Sequence, residues 1–482
     1  MSAINRILSP IRAIASAVSS AFSVRAKYDA AQTSTTNRNH WSNADALDAD
    51  SANSNGVRRT LRTRARYECQ NNSYAYGVLK THAVYVVGTG PRLQMRTAIP
   101  AVNEAVQARW RKWAKASRLA RKLRIAKLTQ DRDGEVFLMF FTNPSLKDPV
   151  KLDLRVIEAD QITSNIAGLV DPNNIDGVIL DEYGNVVAYE LSPHPGAASI
   201  KDFNIEPKRI DASDMIHLYH EDRPGQHRGI PTMTPSLPLF AKLRRYTQFT
   251  VDAAEVAALH SAVMHTNASA SIDPAEIDPG TTMPINNMQI TALPEGWSLD
   301  QMKPEHPTTT YSDFKLELVS EVARPIGMPL NIAAANSSRY NYASGRMDHQ
   351  AYFRFIDVEQ FDLEELVLDV ILAKWWEEAV LIENYLPREA GRIDADQEHE
   401  WFWDGYEHVD PNKEANAQET RLRNHTTTLA EQYAKEGKDW KQQMLQRKSE
   451  LDFMRANNIP IDTGGNAQPD PASAQLEDTP NA

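Results

Sequence analysis

The sequence predicts an α+β fold, with its strands gathered before about residue 231 and most of its helices after it. Three observations carry this. First, the runs at 134–141, 150–156, 178–191 and 215–219 have the apolar content, alternation and turn signals of strands. Second, Thr234-Pro235 is a helix start, because Thr is a good N-cap and Pro suits the first helical position. Third, the two halves meet at His217–Gly229, which runs on into Ile230-Pro231. Its three histidines and two carboxylates within eleven residues admit a metal site. Its Arg223-Pro-Gly-Gln-His-Arg-Gly-Ile-Pro231 run equally admits a stiff joint without chemistry.

A chain of 482 residues can bury a substantial core and supports two to four structural units. The single cysteine, Cys69, excludes an intramolecular disulfide and a Cys-rich zinc site, and points to a reducing compartment. No apolar run approaches the ~20 residues of a membrane span. At the N-terminus, Pro10 and Arg12 interrupt the apolar run from Ile4, so an amphipathic or poorly ordered arm is expected there rather than a secretion signal. The net charge of -12 hides a polarity: up to Leu128 only six residues are acidic. Basic and acidic surfaces are therefore expected on different faces.

Residues 28–56 lack a sustained apolar period and read as an extended arm. A helix is expected from Gly56 to about Lys80, carrying Arg58, Arg59, Arg62, Arg64 and Arg66. The apolar run from Ala83 ends in a Gly88-Thr-Gly90 turn. Pro91 and a strand-like Arg92-Leu-Gln follow it where a phosphate loop needs a helix. A single helix is expected over 104–128. Val106, Trp110, Trp113, Ala116, Leu119 and Leu123 form its apolar stripe, with both tryptophans packed. Its other faces carry Arg111, Lys112, Lys115, Arg118, Arg121, Lys122 and Lys127, either as a surface for nucleic acid or an acidic partner, or as a solvated face. Asp131-Arg-Asp133-Gly134 reads as a turn, and 178–191 as a hairpin about Asp181–Asn185.

Beyond Pro231 a helix is expected to about Thr266, roughly 45 Å long. The proline-rich stretch 267–312 reads as a small β-containing excursion, and 313–326 as a second helix. Asn331–Gly345 is polar and loop-like. A helix of roughly 55 Å follows from Arg346 to Ile382. After the aromatic run Trp401–Tyr406, helices are expected over 413–435 and 440–457, and the tail after Gly464 has a disordered composition.

The chemistry is thin. A metal-dependent hydrolase or nuclease would use His217, His220 and Glu221, but metal ligands must converge at ~2.0–2.2 Å. A strand at 215–219 puts His217 and Tyr219 on one face and His220 on the other, which still leaves the two turn histidines, His220 and His227, free to converge. No Ser or Cys has a nucleophile's setting, and Cys69 reads as a packed thiol. Asp357, Glu359, Asp362, Glu364 and Glu365 read as the solvated face of the long helix. No catalytic residue, cofactor or metal ligand is assigned.

Several short motifs occur in a telling order: Tyr28-Asp-Ala-Ala, Arg64-Ala-Arg66 with Asn71-Asn72, and Val87-Gly-Thr-Gly-Pro-Arg-Leu-Gln. Asp133-Gly-Glu-Val-Phe, Glu158-Ala-Asp160 and Asp181–Tyr189 with His194-Pro follow, then Arg223–Pro231, Asn341-Tyr-Ala-Ser-Gly-Arg346 and Asp410-Pro-Asn-Lys-Glu414. In order and spacing they resemble the lambda-type family of tailed-bacteriophage portal proteins over roughly residues 28–460. The chain departs from the pattern at Gly345 and beyond 460.

The resemblance implies a portal-type subunit with a β-rich wing, helical stem, small clip and helical C-terminal crown. The expected divisions are an N-terminal arm (1–56), wing (57–231), stem helix (232–266), clip (267–312) and second stem helix (313–327). A tunnel loop (328–345), a long helix with the wing return (346–400), a crown (401–462) and a disordered tail (463–482) complete it. About twelve copies would form a ring at one capsid vertex, assembled in the bacterial cytoplasm. Double-stranded DNA would pass through the channel without sequence specificity. Terminase large subunit, major capsid and scaffolding proteins, and head-completion or tail adaptor proteins are the implied partners, with no membrane and no enzymatic activity. Asn336, Ser337, Ser338, Arg339 and Tyr340 would face the DNA. Arg223, Pro224, Gly225, Gln226, Arg228 and Gly229 would form the wing–stem joint. Arg111, Lys112, Lys115, Arg118, Arg121 and Lys122 would face outward or into the capsid.

Overall fold

The computed structural model describes residues 35, 38–164, 173–192, 207–258, 262–266, 297–301, 310–393, 399–405, 411–436, 438 and 440–460. The chain divides into two units, Met1–Ala52 and Asn53–Ala482. The described part of the first is a series of turns ending in the short helix α1 (Ala49–Ala52). Asp48 caps α1 by accepting from the Ser51 amide at 2.7 Å.

The second unit opens with two helices where one was expected, α2 (Asn55–Asn71) and α3 (Ser73–Val87). Asn72 is extended, and its side chain accepts from the amides of Tyr74 (3.0 Å) and Ala75 (3.4 Å), which starts a new helix. The apolar residues 83–87 complete α3, and β1 (Arg92–Met95) follows. The basic segment is also two helices, α4 (Pro100–Ala116) and α5 (Leu119–Asp133). They part at Ser117-Arg118, where Arg118 takes a left-handed φ of 56°. Asp131 and Asp133 lie in the last turn of α5, not in a loop.

The strands β2 (Glu135–Thr142), β3 (Leu152–Glu158), β4 (Asn174–Ile175), β5 (Val178–Leu180), β6 (Val186–Leu191), β7 (Lys208–Asp211) and β8 (Met215–Tyr219) follow. They form two antiparallel sheets, ordered β3-β2-β8 and β4-β5-β6-β7. The expected hairpin is β5–β6, closed at Asp181, whose carboxylate accepts from the amides of Tyr183 and Asn185. Phe137 pairs with Ile157 on one side and His217 on the other, and it is fully buried.

The helix after Pro231 is shorter than expected: a 3₁₀ turn (Thr234–Ser236) leads into α6 (Leu237–Ala258). Residues 262–266 are instead β9, paired antiparallel with β10 (Trp297–Gln301). Residues 267–296 of the expected excursion lie outside the described residues. The second helix, α7 (Tyr311–Ala323), ends in a 3₁₀ turn at Gly327, whose φ of 63° stops it. A short α8 (Leu330–Ala333) and the start of α9 (Tyr342–Leu363) narrow the expected loop to 334–341. The long helix continues through a π-helical segment, Glu364–Leu368, into α10 (Asp369–Leu381).

β11 (His399–Phe402) pairs with β1, so residues 399–402 join the first half of the chain. The boundary placed at 401 thus cuts a strand. The last helices are α11 (Pro411–Arg423), α12 (Leu429–Lys435) and α13 (Trp440–Ala456). The single helix expected over 413–435 breaks because Thr428 and Glu431 form a reciprocal capping box that begins α12. The tail after Gly464 lies outside the described residues.

The main core gathers α3, α4, α5, β2, β3 and the long helix. At its centre Trp110 contacts Trp113, Trp375 and Trp401, with ring centroids 4.9–5.5 Å apart. A smaller core lies under β4–β7. No helix among the described residues is long and apolar enough to cross a membrane.

Candidate functional site

The residues that read as one cluster at 217–229 are shared between two buried ionic nodes. The first centres on Glu135, the opening residue of β2, which is fully buried. Its carboxylate accepts from Arg228 Nη2 at 2.7 Å, Arg62 Nη2 at 2.9 Å, the Gly229 amide at 3.0 Å and His217 Nε2 at 3.1 Å. Burial opposes its ionisation, but Arg228 and His217 outweigh this and hold the carboxyl well below its usual range. Arg228 is itself fully buried and also donates to the Asp176 and Ile162 carbonyls. Burial lowers the His217 pKa despite the Glu135 contact, so the ring is a neutral donor stacked on Phe137 at 4.1 Å.

Helix α2 supplies the rest of this node. Arg58, Arg62 and Arg66 stand four residues apart and so share one face. Arg58 pairs with Asp176, Arg62 with Asp160 as well as Glu135, and Arg66 with Asp133 and Asp160. Arg59 and Arg64, off that face, are exposed. The sequence reading missed this partition. Four-residue spacing was its available signal, once matched with the acidic residues at 133, 135 and 160.

The joint residues fall into two groups. Gln226 is buried, donating to the carbonyls of His220 (3.2 Å) and Arg228 (2.9 Å) and accepting from the Asp222 amide. Gly229 passes so close to Gly134 that a Cβ would overlap the Gly134 carbonyl. Gly225 turns the chain with a φ of 76° in open space. Arg223 and Pro224 are exposed, and the Arg223 carbonyl accepts from the Gln226 amide at 3.1 Å.

The second node lies on the other side of β8. Lys127, expected on an exposed basic face whether partner-binding or solvated, is fully buried. It pairs with Glu359 at 2.6 Å and Asp131 at 3.0 Å, and it contacts Gln130 and His220. Glu359 is thus not part of a solvated face. Burial works against the Lys127 charge, but Asp131 and Glu359 outweigh it and raise its pKa. His82 donates to or accepts from the Tyr352 hydroxyl at 3.1 Å, with Nε2 3.9 Å from Asp131. Burial pushes its pKa down to about 4.

His217 and His220 therefore serve different carboxylates, Glu135 on one side and Asp131 and Glu359 on the other. Glu221 is exposed. The hydrolase reading needs these three to converge, and the strand geometry separates the two histidines. Among the described residues no group of three or more His, Cys, Asp or Glu side chains is arranged for a metal. Cys69 is half-buried, and burial pushes its thiol up to about 11.

Of the expected basic surface, Arg111, Lys112, Lys115, Arg118 and Arg121 are exposed, whereas Lys122 is half-buried and ion-paired to Asp153. Asn336, Ser337, Ser338 and Arg339 are exposed and Tyr340 is half-buried. Arg339 is held against the start of α7 by Asp313 (2.5 Å) and Ser312 (3.1 Å).

Comparison with known proteins places this architecture. Residues 35–360 match the family described as "Phage portal protein, lambda family". The chain is 24% identical over 408 residues to a "Probable portal protein" of Halomonas phage phiHAP-1, covering 79% of this chain and 77% of the relative. Among solved structures it is similar to a chain of the "Virion of native gene transfer agent (GTA) particle", with a TM-score of 0.44 and 13% identity, covering 78% of this chain and 92% of that one. It is also similar to a chain of the "Neck of native GTA particle computed with C12 symmetry", with a TM-score of 0.45 and 14% identity, covering 80% and 94%. Because the family match spans well over half of the sequence, the chain belongs to the lambda family of phage portal proteins.

Proposed function

We propose that the chain is one subunit of a ring of about twelve at a single capsid vertex, through which double-stranded DNA is packaged and later released. The observation that carries this is the family match over residues 35–360. Terminase large subunit would dock on the ring during packaging, and head-completion or tail adaptor proteins would replace it. Major capsid and scaffolding proteins would surround it in the bacterial cytoplasm before it becomes part of the virion.

In this reading the residues to about 231, with β11, form the wing, and α6 and α7 form the stem. Those two helices pack through Tyr246, whose ring lies 5.2 Å from Phe314 and 5.5 Å from Tyr311. The β9–β10 pair belongs to the clip, residues 334–341 to the tunnel loop, and α11–α13 to the crown. Arg223–Gly229, with the Glu135 node beneath, is the wing–stem joint.

Sliding DNA favours such a loop. Each phosphate neutralised by a cation adds salt-dependent affinity, so a low-friction channel must present few free cations. Arg339 supports this, because Asp313 already balances its charge. Shells assembled with and without the chain test the proposal. Those containing it are expected to take up DNA when terminase and ATP are supplied, and those lacking it to stay empty. Equal uptake by both would contradict it.

A further inference from the structure

Two exposed faces of the chain carry opposite charge that no other described residue neutralises. From Gln107 to Gln130 there is no Asp or Glu, and from Phe355 to Val370 there is no Lys or Arg. In the first stretch Lys122 and Lys127 are ion-paired, Arg124 donates to the Gly88 carbonyl and Arg109 lies over the Tyr385 ring. Arg111, Lys112, Lys115, Arg118 and Arg121 remain exposed without an ion pair among the described residues. In the second stretch Glu359 pairs with Lys127, Asp369 with His399, and Glu364 accepts from the Trp403 indole. Asp357, Asp362 and Glu365 have no such partner among the described residues.

The second face is also apolar. Val358, Phe361, Leu366 and Val370 follow helical spacing through the π-helical segment and are 62%, 61%, 47% and 38% exposed. Phe361, Leu366 and Val370 face solvent, while Leu363, Val367 and Ile371 of the same helix are buried. An apolar ridge of this length outside the core marks an interaction surface.

The two faces cannot meet within one chain. Trp110 and Trp113 of α4 point inward onto Trp375 of α10, so Arg111, Lys112 and Lys115 lie on the opposite side of α4. The outward ridge of the long helix is turned away from that same contact. Two different, complementary patches facing apart are what a head-to-tail interface needs, and rotation about such an interface closes a ring.

We propose that the Val358–Val370 ridge, with Asp357, Asp362 and Glu365, receives the basic α4–α5 face of the neighbouring copy. This rests on the ring reading and assigns the basic face to the next subunit rather than to the shell, scaffold or genome. Buried ridge side chains supply the adhesion, and the charges set register and exclude like-facing contacts.

The test uses two full-length variants. In the first, Lys112→Glu, Lys115→Glu and Arg118→Glu make both faces acidic. In the second, Asp357→Lys, Asp362→Lys and Glu365→Lys make both basic. Mass is measured by light scattering, with thermal unfolding as the check that each variant is folded. Neither variant alone is expected to form rings, whereas their equimolar mixture restores rings in which the two alternate. Rings from either variant alone, or folded variants whose mixture stays unassembled, would overturn the pairing. If the wild-type chain itself forms no ring, the ring reading fails first, so the two failures are distinguishable.

Discussion

Arg228 lies at the centre of the joint, and its neighbours decide what removing it does. Breaking a buried pair leaves the partner charge without compensation, which costs ~3–5 kcal/mol. Arg228→Ala strands Glu135, which nevertheless keeps Arg62 and His217, so a loss of about 3 kcal/mol is expected in denaturant unfolding. Glu135→Gln is expected to cost as much, since among the described residues Arg228 then keeps only Asp176, at 3.5 Å, as a paired carboxylate. Lys127→Met should behave in the same way through Glu359 and Asp131. Acid sensitivity follows from the same residues. His82 is held at about 4 against an unfolded value near 6.5. Below pH 6.5 the unfolded chain binds the proton more readily, so this stability is present above pH 6.5 and lost as pH falls to about 4. The loss is about 3 kcal/mol. Asp131, Asp133 and Glu135, whose carboxyls are depressed, extend the loss to lower pH. Unfolding midpoints measured from pH 7 to pH 4 should fall in the wild type and fall less in His82→Gln. A flat profile in the wild type would contradict the burial of neutral His82.

At the scale of elements, the joint is a close approach of two backbones. Gly229→Ala and Gly134→Ala each place a Cβ against backbone, and Gly134 also has a φ of 93°. Both are expected to abolish soluble expression or cost several kcal/mol, whereas Gly225→Ala meets open space and pays only ~1–2 kcal/mol for its left-handed backbone. Comparable stability of all three would show that the approach is not tight. Much at this scale was legible. β2, β3, β8 and the β5–β6 hairpin were readable from alternation and turn residues, and the start near Thr234 from Pro235; Thr234 itself does not cap the turn, since Met233 holds that position and the Thr234 hydroxyl donates to the Pro231 carbonyl. The breaks at Asn72 and Arg118 were not, because apolar spacing continues across both while the backbone is redirected by one cap and one left-handed residue. Lys127 and Glu359 were misread for a related reason. Each looks solvated on its own helix, and only tertiary packing brings them together from 232 residues apart. The histidine separation was readable, since strand alternation alone divides His217 from His220.

For the whole molecule, the sequence resemblance reached the family that the match over residues 35–360 establishes. Composition could not reach assembly, because an exposed ridge and a hidden core stripe have the same periodicity. Phe361, Leu366 and Val370 have that spacing yet remain exposed. The central claim is that this chain works as a ring with a channel. Electron-microscope images of the purified full-length protein, taken with a solution mass, test it most directly. Twelve copies of a 54.1 kDa chain give about 650 kDa. The account predicts closed rings with an open centre near that mass. Compact single particles of one chain's mass at every ionic strength tried would contradict it.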